Sequence, residues 1–441
     1  MCHESLNRRA RARWVSSKVT SSAECLLHST TRSLSPQVTI EELSDKVLLK
    51  IFSYFLDASP RHWIGLVHIC HKWRRIVFEA RQPLSLRLFC THSTLVLKTL
   101  DCWPALPIIV EYGGSLARRP PDPKDEDNII AALKRSKRVH SITLTITDSL
   151  LKKLSTLEEP FSELEELVLL SGYSWQLILP NTFRWGPRLR RLHSTSIAYP
   201  AFLQLLSSSN NLVDLRLHDL RNISHFSPEE LTKTLSRMAQ LRSFSLHLSA
   251  SPIYCVPLPP SEELFVLPAL TRLDFRGVTW YLEGLVTIID APQLEDIEIT
   301  LFDNSISCHS RLCEFIDRME MHKSHSRAHV SFSKGTISVS LMQPGRAWLR
   351  LEIYCKSSSA QLYFMAQICV GFSPFLLKVR DLRINTTRQE WSGWAYLERW
   401  LEILNSFPGV MWLHLNVKHL TNVVHALLLL EPWPKHVLPA P

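Results

Sequence analysis

Cys308 and Cys313, then His325 and His329, stand in the order of a zinc site built from two thiolates and two imidazoles. The stretch between the two pairs, residues 314 to 324, is one residue short of the usual finger spacing. Cys308 to Met319 also sets Leu312, Phe315, Ile316 and Met319 on one side of a helix. That pattern makes both cysteines packing residues and leaves His322, His325 and His329 in a solvated linker, so no metal is expected. Hydrolytic chemistry has still less to work with. There is no Gly-x-Ser-x-Gly elbow and no cysteine paired with a defined base. With only 12 glycines in 441 residues, loops that cradle phosphate are unexpected as well. The chain reads as non-catalytic and free of cofactors.

Composition points the same way. An apolar content of 45% with 21% charged residues is ordinary for a globular chain. The best apolar run, Ala426 to Leu430, stops at Glu431, far short of the roughly 18 residues a membrane span needs. Of the formal charge of +9, Arg8, Arg9, Arg11, Arg13, Lys18 and Arg32 against Glu4 and Glu24 place four units in the first 36 residues. The remainder is spread too thinly for a nucleic-acid surface, which concentrates its cations on one face. Residues 1–36 read as a disordered basic, Ser-rich tail, although a nuclear signal or a presequence uses the same composition. Ten scattered cysteines, among them Cys70 and Cys369 in apolar helical stretches, read as buried reduced thiols, with a cytoplasmic or nuclear setting expected.

The elements behind these residues repeat. A Leu or its apolar equivalent, another three residues on and a third two after that recur at Leu164, Leu212, Leu241, Leu270, Leu294, Val379 and Val410, and Leu189 with Leu192 carries the first two positions. The middle residues Leu167, Leu192, Leu215, Phe244, Leu273 and Ile297 follow one another at intervals of 23 to 29 residues. Such a period predicts a solenoid of short strands and helices, each unit burying its apolar face only when a neighbour stacks on it. Leu84, Leu86 and Leu88, and Ile142, Leu144 and Ile146, alternate as half-buried strands do. Helices are expected over Ala198–Leu206, Tyr281–Ile289, Gln361–Cys369 and Ala395–Leu404, with Ser227-Pro228-Glu229-Glu230 capping another. Arg118 to Asp127, with three prolines and four acids, reads as a surface loop. Between Ile297 and Leu351, either Val330–Phe332 or Ile337–Val339 is expected to supply a missing strand.

Residues 37–82 follow a different pattern. Ser44 stands where it can cap a helix whose Val47, Leu48, Ile51, Phe52 and Phe55 make one wide apolar face. The chain breaks around Pro60, and Ile64, Leu66, Val67, Ile69 and Cys70 precede a short third helix with Trp73, Ile76 and Val77 inside. Three helices in about 40 residues lie near the lower limit for an independent core, so burial against a partner is expected.

Leu43, Val47, Leu48, Ile51 and Phe52, then Leu66, Ile69, Cys70, Trp73 and Arg74, resemble an F-box. The family pattern opens with Leu-Pro, and here Ser44 stands in place of the proline. An F-box followed by leucine-rich repeats is similar to the substrate receptors of cullin-RING ubiquitin ligases, and the wider layout resembles fungal F-box proteins. There an apolar strand such as Leu106 to Glu111, a turn such as Tyr112-Gly113-Gly114 and an acidic Pro loop precede the repeats. The resemblance implies that Leu43, Val47, Leu48, Ile51, Phe52, Leu66, Ile69, Cys70 and Trp73 dock on a Skp-family adaptor and, through it, a cullin.

The repeat strands yield a second set of candidates, because residues between the inward Leu positions must line the other face of the sheet. Arg216, His218, Arg272, Asp274, Arg276, Glu298, Arg383, Trp412 and His414 are the candidate substrate contacts. Both signs interleave among them, which suits a protein partner of mixed charge better than a polyanion.

The expected architecture is therefore α/β, a small all-α F-box at 37–82 before a leucine-rich-repeat solenoid at 83–430, with a Pro-rich tail at 431–441. The expected role is a non-catalytic receptor that presents a protein target to a ligase. A repeat scaffold acting without a ligase, its first block serving as an end cap, and an RNA-binding array are the other classes considered.

Overall fold

Ser44 starts the first helix. Its carbonyl accepts from the Leu48 N–H at 3.0 Å, and its hydroxyl accepts from the Val47 N–H at 3.4 Å. The computed structural model describes residues 40, 42–58, 63–79, 85–102, 106–113, 119–171, 187–196, 206, 209–220, 227–249, 264–302, 310–319, 325–343, 346–355, 357–386, 391, 394–416, 421–430 and 437–439. The basic tail, Leu84, the break at Pro60, Gly114, most of the helix expected over Ala198–Leu206, Cys308, His322 and most of the Pro-rich tail lie outside them.

Helices α1 (Asp45–Ala58), α2 (Trp63–Ile69) and α3 (His71–Glu79) come first. Leu48, Phe52, Leu66, Val67, Trp73, Ile76 and Val77 form their core, separate from the apolar cluster that runs through the rest of the chain. The Phe52 and Trp73 rings meet at 4.7 Å between centroids.

The rest is one α/β assembly. Its first half contains β1 (Leu86–Phe89), α4 (Val96–Cys102), β2 (Ile108–Tyr112), α5 (Pro123–Leu133), β3 (Val139–Ile146), α6 (Asp148–Leu154), β4 (Glu166–Ser171), β5 (Arg191–Thr195), β6 (Asp214–Leu220), α7 (Pro228–Leu235) and β7 (Ser243–Leu248). Then come β8 (Phe265–Val266), β9 (Arg272–Gly277), α8 (Thr279–Ile288), β10 (Ile289–Asp290), β11 (Asp296–Leu301), α9 (Ser310–Asp317), β12 (Arg327–Ser333), β13 (Thr336–Gln343) and β14 (Arg346–Tyr354). The chain ends through α10 (Ser358–Gly371), α11 (Ser373–Leu376), β15 (Asp381–Thr386), α12 (Trp394–Asn405), β16 (Trp412–Asn416), α13 (Thr421–Leu429) and β17 (Val437–Pro439).

Fifteen strands make one sheet, in the order β1-β2-β3-β4-β5-β6-β7-β9-β11-β14-β13-β12-β15-β16-β17, while β8 and β10 pair separately. Every neighbouring pair is parallel except the two that flank β13. The repeated Leu positions stack in register from strand to strand, as in Leu167↔Leu192↔Leu215↔Phe244↔Leu273↔Ile297↔Leu349. A second row runs Leu169↔Ser194↔Leu217↔Leu246↔Phe275↔Ile299↔Leu351. Ser194 thus fills an apolar position, and its buried hydroxyl has no hydrogen-bond partner among the described residues. Helix residues such as Leu150, Leu154, Leu231, Leu235, Leu282 and Leu285 complete the same buried cluster.

Two local readings are corrected. The Pro-rich acidic stretch expected to be a loop contains the start of α5. Asp122 accepts from the Lys124 and Asp125 N–H groups, Asp125 returns the bond to the Asp122 N–H, and Pro123 fills the first turn. Proline and acids thus mark a helix entry here as well as a turn. Farther on, Val330–Phe332 and Ile337–Val339 are both strands, and with β14 they form an antiparallel meander inside the parallel sheet. Lys334 and Gly335 close its first hairpin, with Gly335 at φ +84°, a conformation that favours glycine. The meander places β14 beside β11 and β12 beside β15, so α9 and α10 each bridge connections that pass over two intervening strands. At about 1.5 Å per residue the 14-residue α10 is long enough for a crossing of roughly 14 Å, three strand spacings of about 4.8 Å.

Among the described residues, no helix is long and apolar enough to cross a membrane.

Candidate functional site

The apolar face of α1 divides into two stripes. Leu48 and Phe52 turn into the block's own core, while Val47, Ile51 and Tyr54, at helical spacings of four and three, remain 45%, 42% and 68% exposed. Ile69 at the end of α2 is 59% exposed.

 Of the residues expected to meet an adaptor, Leu48, Phe52, Leu66 and Trp73 are therefore interior, and Leu43 and Cys70 are half-buried against the same core. The correction has a packing cause. Two short helices cannot cover a face as wide as the one α1 carries, so half of it is buried and half is left in water. Local bonds hold the block together: Lys72 Nζ donates to the Leu43 carbonyl at 2.9 Å, and Arg74 Nε donates to the Val67 carbonyl at 2.9 Å.

The second candidate surface is the sheet face opposite the core. Charged residues alternate with buried apolar positions along most of the repeat strands, as in the exposed Arg272 and Arg276 of β9 flanking buried Leu273 and Phe275. Arg87, Arg191, Arg216, Arg272, Arg276, Arg327, Arg350 and Arg383 stand on it against Glu111, Glu166, Asp214, Asp274, Asp296, Glu298, Glu352 and Asp381. The signs balance. Most are paired: Arg216 with Asp214 at 2.9 Å, Arg272 with Asp296 at 3.6 Å and Glu298 at 4.0 Å, Arg350 with Glu298 at 3.9 Å. Asp381 gathers Arg327 at 3.4 Å, Arg383 at 3.9 Å and His414 at 3.4 Å, with exposed Trp412 opposite it on β16. Arg350, Glu352, Tyr354, Arg327 and His329 are not among the candidate substrate contacts, although the alternation Leu349-Arg350-Leu351-Glu352-Ile353-Tyr354 carries the signal.

Three imidazoles lie side by side near the centre of this face. His218 stacks on His247 at 3.9 Å between centroids, and His193 meets His218 edge-on at 4.8 Å. Ser245 Oγ donates to Asp274 Oδ2 at 2.8 Å, and His247 Nε2 lies 3.0 Å from the same oxygen and 3.3 Å from Ser245 Oγ. A serine, a histidine and an aspartate are thus together, but His247 faces both partners through one nitrogen. A proton relay needs the ring between them, with a different nitrogen to each. Burial, then the neighbouring His247 and His193, pushes His218 down to about 4. Burial and then Arg216 lower His193. Burial opposes ionisation of Asp274, but bonds from His247 and Ser245 outweigh it and lower its pKa.

The pH consequence follows from linkage. An unfolded histidine titrates near 6.5, so between that value and about 4 the unfolded chain binds a proton that folded His218 does not. Stability is full above pH 6.5 and falls as pH drops toward 4. His193 adds in the same direction, whereas Asp274 contributes stability that is lost only below its ordinary range of about 4. His218→Gln is expected to flatten the slope of melting temperature against pH between 6.5 and 4 by about half, measured by thermal unfolding at closely spaced pH values. An unchanged slope would remove the stack from the explanation.

Metal chemistry gains no support at the cysteine-histidine motif. Cys313 is half-buried on α9, its thiol donating to the Gly371 carbonyl at 3.3 Å and pushed up to about 12 by burial and then by Glu283. His325 is buried and bonded to the Phe375 carbonyl, and His329 sits on the sheet face 2.8 Å from Asn385 Nδ2, so neither belongs to a solvated linker. Among the described residues, only His92, Asp122 and Asp125 bring three potential ligand atoms within 4.8 Å. Asp122 there caps α5, and Asp125 already accepts from Arg119 at 3.1 Å and Tyr112 at 3.0 Å.

No protein-family model matches the chain, and a search of curated proteins finds no match.

Proposed function

We propose that the chain is a non-catalytic substrate receptor of an SCF-type ubiquitin ligase, its helical block an F-box that docks on a Skp-family adaptor and its sheet face a leucine-rich-repeat surface that selects a protein target. The observation that carries this reading is the uncovered apolar stripe of α1. A domain this small has little apolar surface to spare, yet Val47, Ile51 and Tyr54 stay in water beside a complete core of their own. The competing idea of a ligase-independent scaffold makes the block an end cap for the repeats. An end cap shares its core with the first unit, whereas the two buried clusters here are separate. Balanced charge on the sheet face favours a protein target over RNA, whose binding surfaces carry excess cation.

Co-purification of the full chain with a Skp-family adaptor tests the proposal, and absence of a complex at micromolar concentration would overturn it. Trp73→Ala acts differently from a contact mutation. The ring is 9% exposed and packs on Phe52, so its loss is expected to cost about 3 to 5 kcal/mol within the block. Adaptor capture then falls at least tenfold through unfolding of 45–79, while the main thermal transition of the repeats stays in place. Differential scanning calorimetry beside a capture assay reads both.

A further inference from the structure

The pairing of charges on the sheet face has two gaps. Of the eight arginines on that face, Arg276 alone makes no ion pair within 4.0 Å among the described residues. It is nonetheless held in place. Its guanidinium lies 5.2 Å from the Phe302 ring centroid and 5.8 Å from that of Tyr354, and Nη2 donates to the Tyr354 hydroxyl at 3.0 Å. A cation fixed between two rings loses little side-chain freedom on meeting an anion, and its fork of donors suits carboxylate or phosphate oxygens. Among the carboxylates of the face, Glu352 likewise has no ion pair within 4.0 Å among the described residues.

The two gaps lie on one row. Arg276 is opposite Thr300, and Thr300 is opposite Glu352, so the free cation and the free anion stand two strands apart. Two strand spacings come to about 10 Å, while side chains of an extended chain share a face only at even separations, and two residues span about 7 Å, a difference of about 3 Å that the long side chains on both partners bridge. Resting on the reading of this face as the target-binding surface, we propose that Arg276 and Glu352 read an anionic and a cationic side chain two residues apart on an extended segment of the partner protein. The spacing sets the partner's pattern, and the pairing of the other charges keeps them from competing for it.

Selection of a random peptide library on the full chain tests this. Enriched peptides are expected to carry Asp or Glu two residues from Lys or Arg, in either order. Arg276→Glu, which leaves two free anions on the row, is expected to select two cations at the same spacing. Peptides resynthesised with Glu or phosphoserine at the anionic position tell a carboxylate from a phosphate, and either is expected to lose at least tenfold in affinity on Arg276→Ala. No enrichment of the spacing, or the same peptides selected by Arg276→Glu, would overturn the proposal. Adaptor capture by Arg276→Ala is expected to match the unsubstituted chain, so failure here is distinct from failure of the ligase reading.

Discussion

Ile51→Glu is expected to weaken binding of a Skp-family adaptor at least a hundredfold, about 2.7 kcal/mol, with thermal unfolding of the chain almost unchanged. The side chain is 42% exposed and outside the block's own core, so a charge there disturbs little in the free protein. In a complex the same charge would be buried without a partner, which costs several times more. Val47→Asp, one turn earlier, is expected to act alike, and Lys46→Glu beside them to act weakly. Titration of the purified adaptor into each variant by calorimetry decides it. Full affinity in Ile51→Glu would remove the α1 stripe from the docking surface.

Phe332→Ala is expected to cost the sheet about 3 to 5 kcal/mol. Its ring is fully buried on β12 and meets Trp391 at 4.8 Å and Trp400 at 5.6 Å in edge-to-face contacts. Because β12 joins the meander to β15, the loss falls on the last third of the sheet. Hydrogen exchange is expected to speed up in β15 and β16 well before β2 to β4. Uniform acceleration along the whole sheet would show that the strands open as one unit rather than locally.

Much of this arrangement is legible in the chain because strand period and repeat period reinforce each other. From Leu167 to Ile297 the inward residues stack in the register that their spacing suggests, and the residues between them line the opposite face. The meander was harder to read. Two-residue connections leave only the Lys334-Gly335 and Pro344-Gly345 steps as signals, and the antiparallel strands interrupt the repeat count. On α1, periodicity alone could not say which half of a wide apolar face is covered, since that depends on the length of α2 and α3. Arg276 was visible as a candidate, but its separation from every carboxylate was not. Phe302 and Tyr354 lie 26 and 78 residues beyond it, and only the pairing of β9, β11 and β14 brings them together.

The hairpin at Gly335 also bears on how the chain finds its shape. Parallel neighbours must wait for a long connection to close, whereas β12 and β13 meet across two residues and can zip within microseconds. Pulse-labelling during refolding should therefore catch amides of 327–354 protected first, with order spreading outward to both ends from a seed about two-thirds of the way along the sheet.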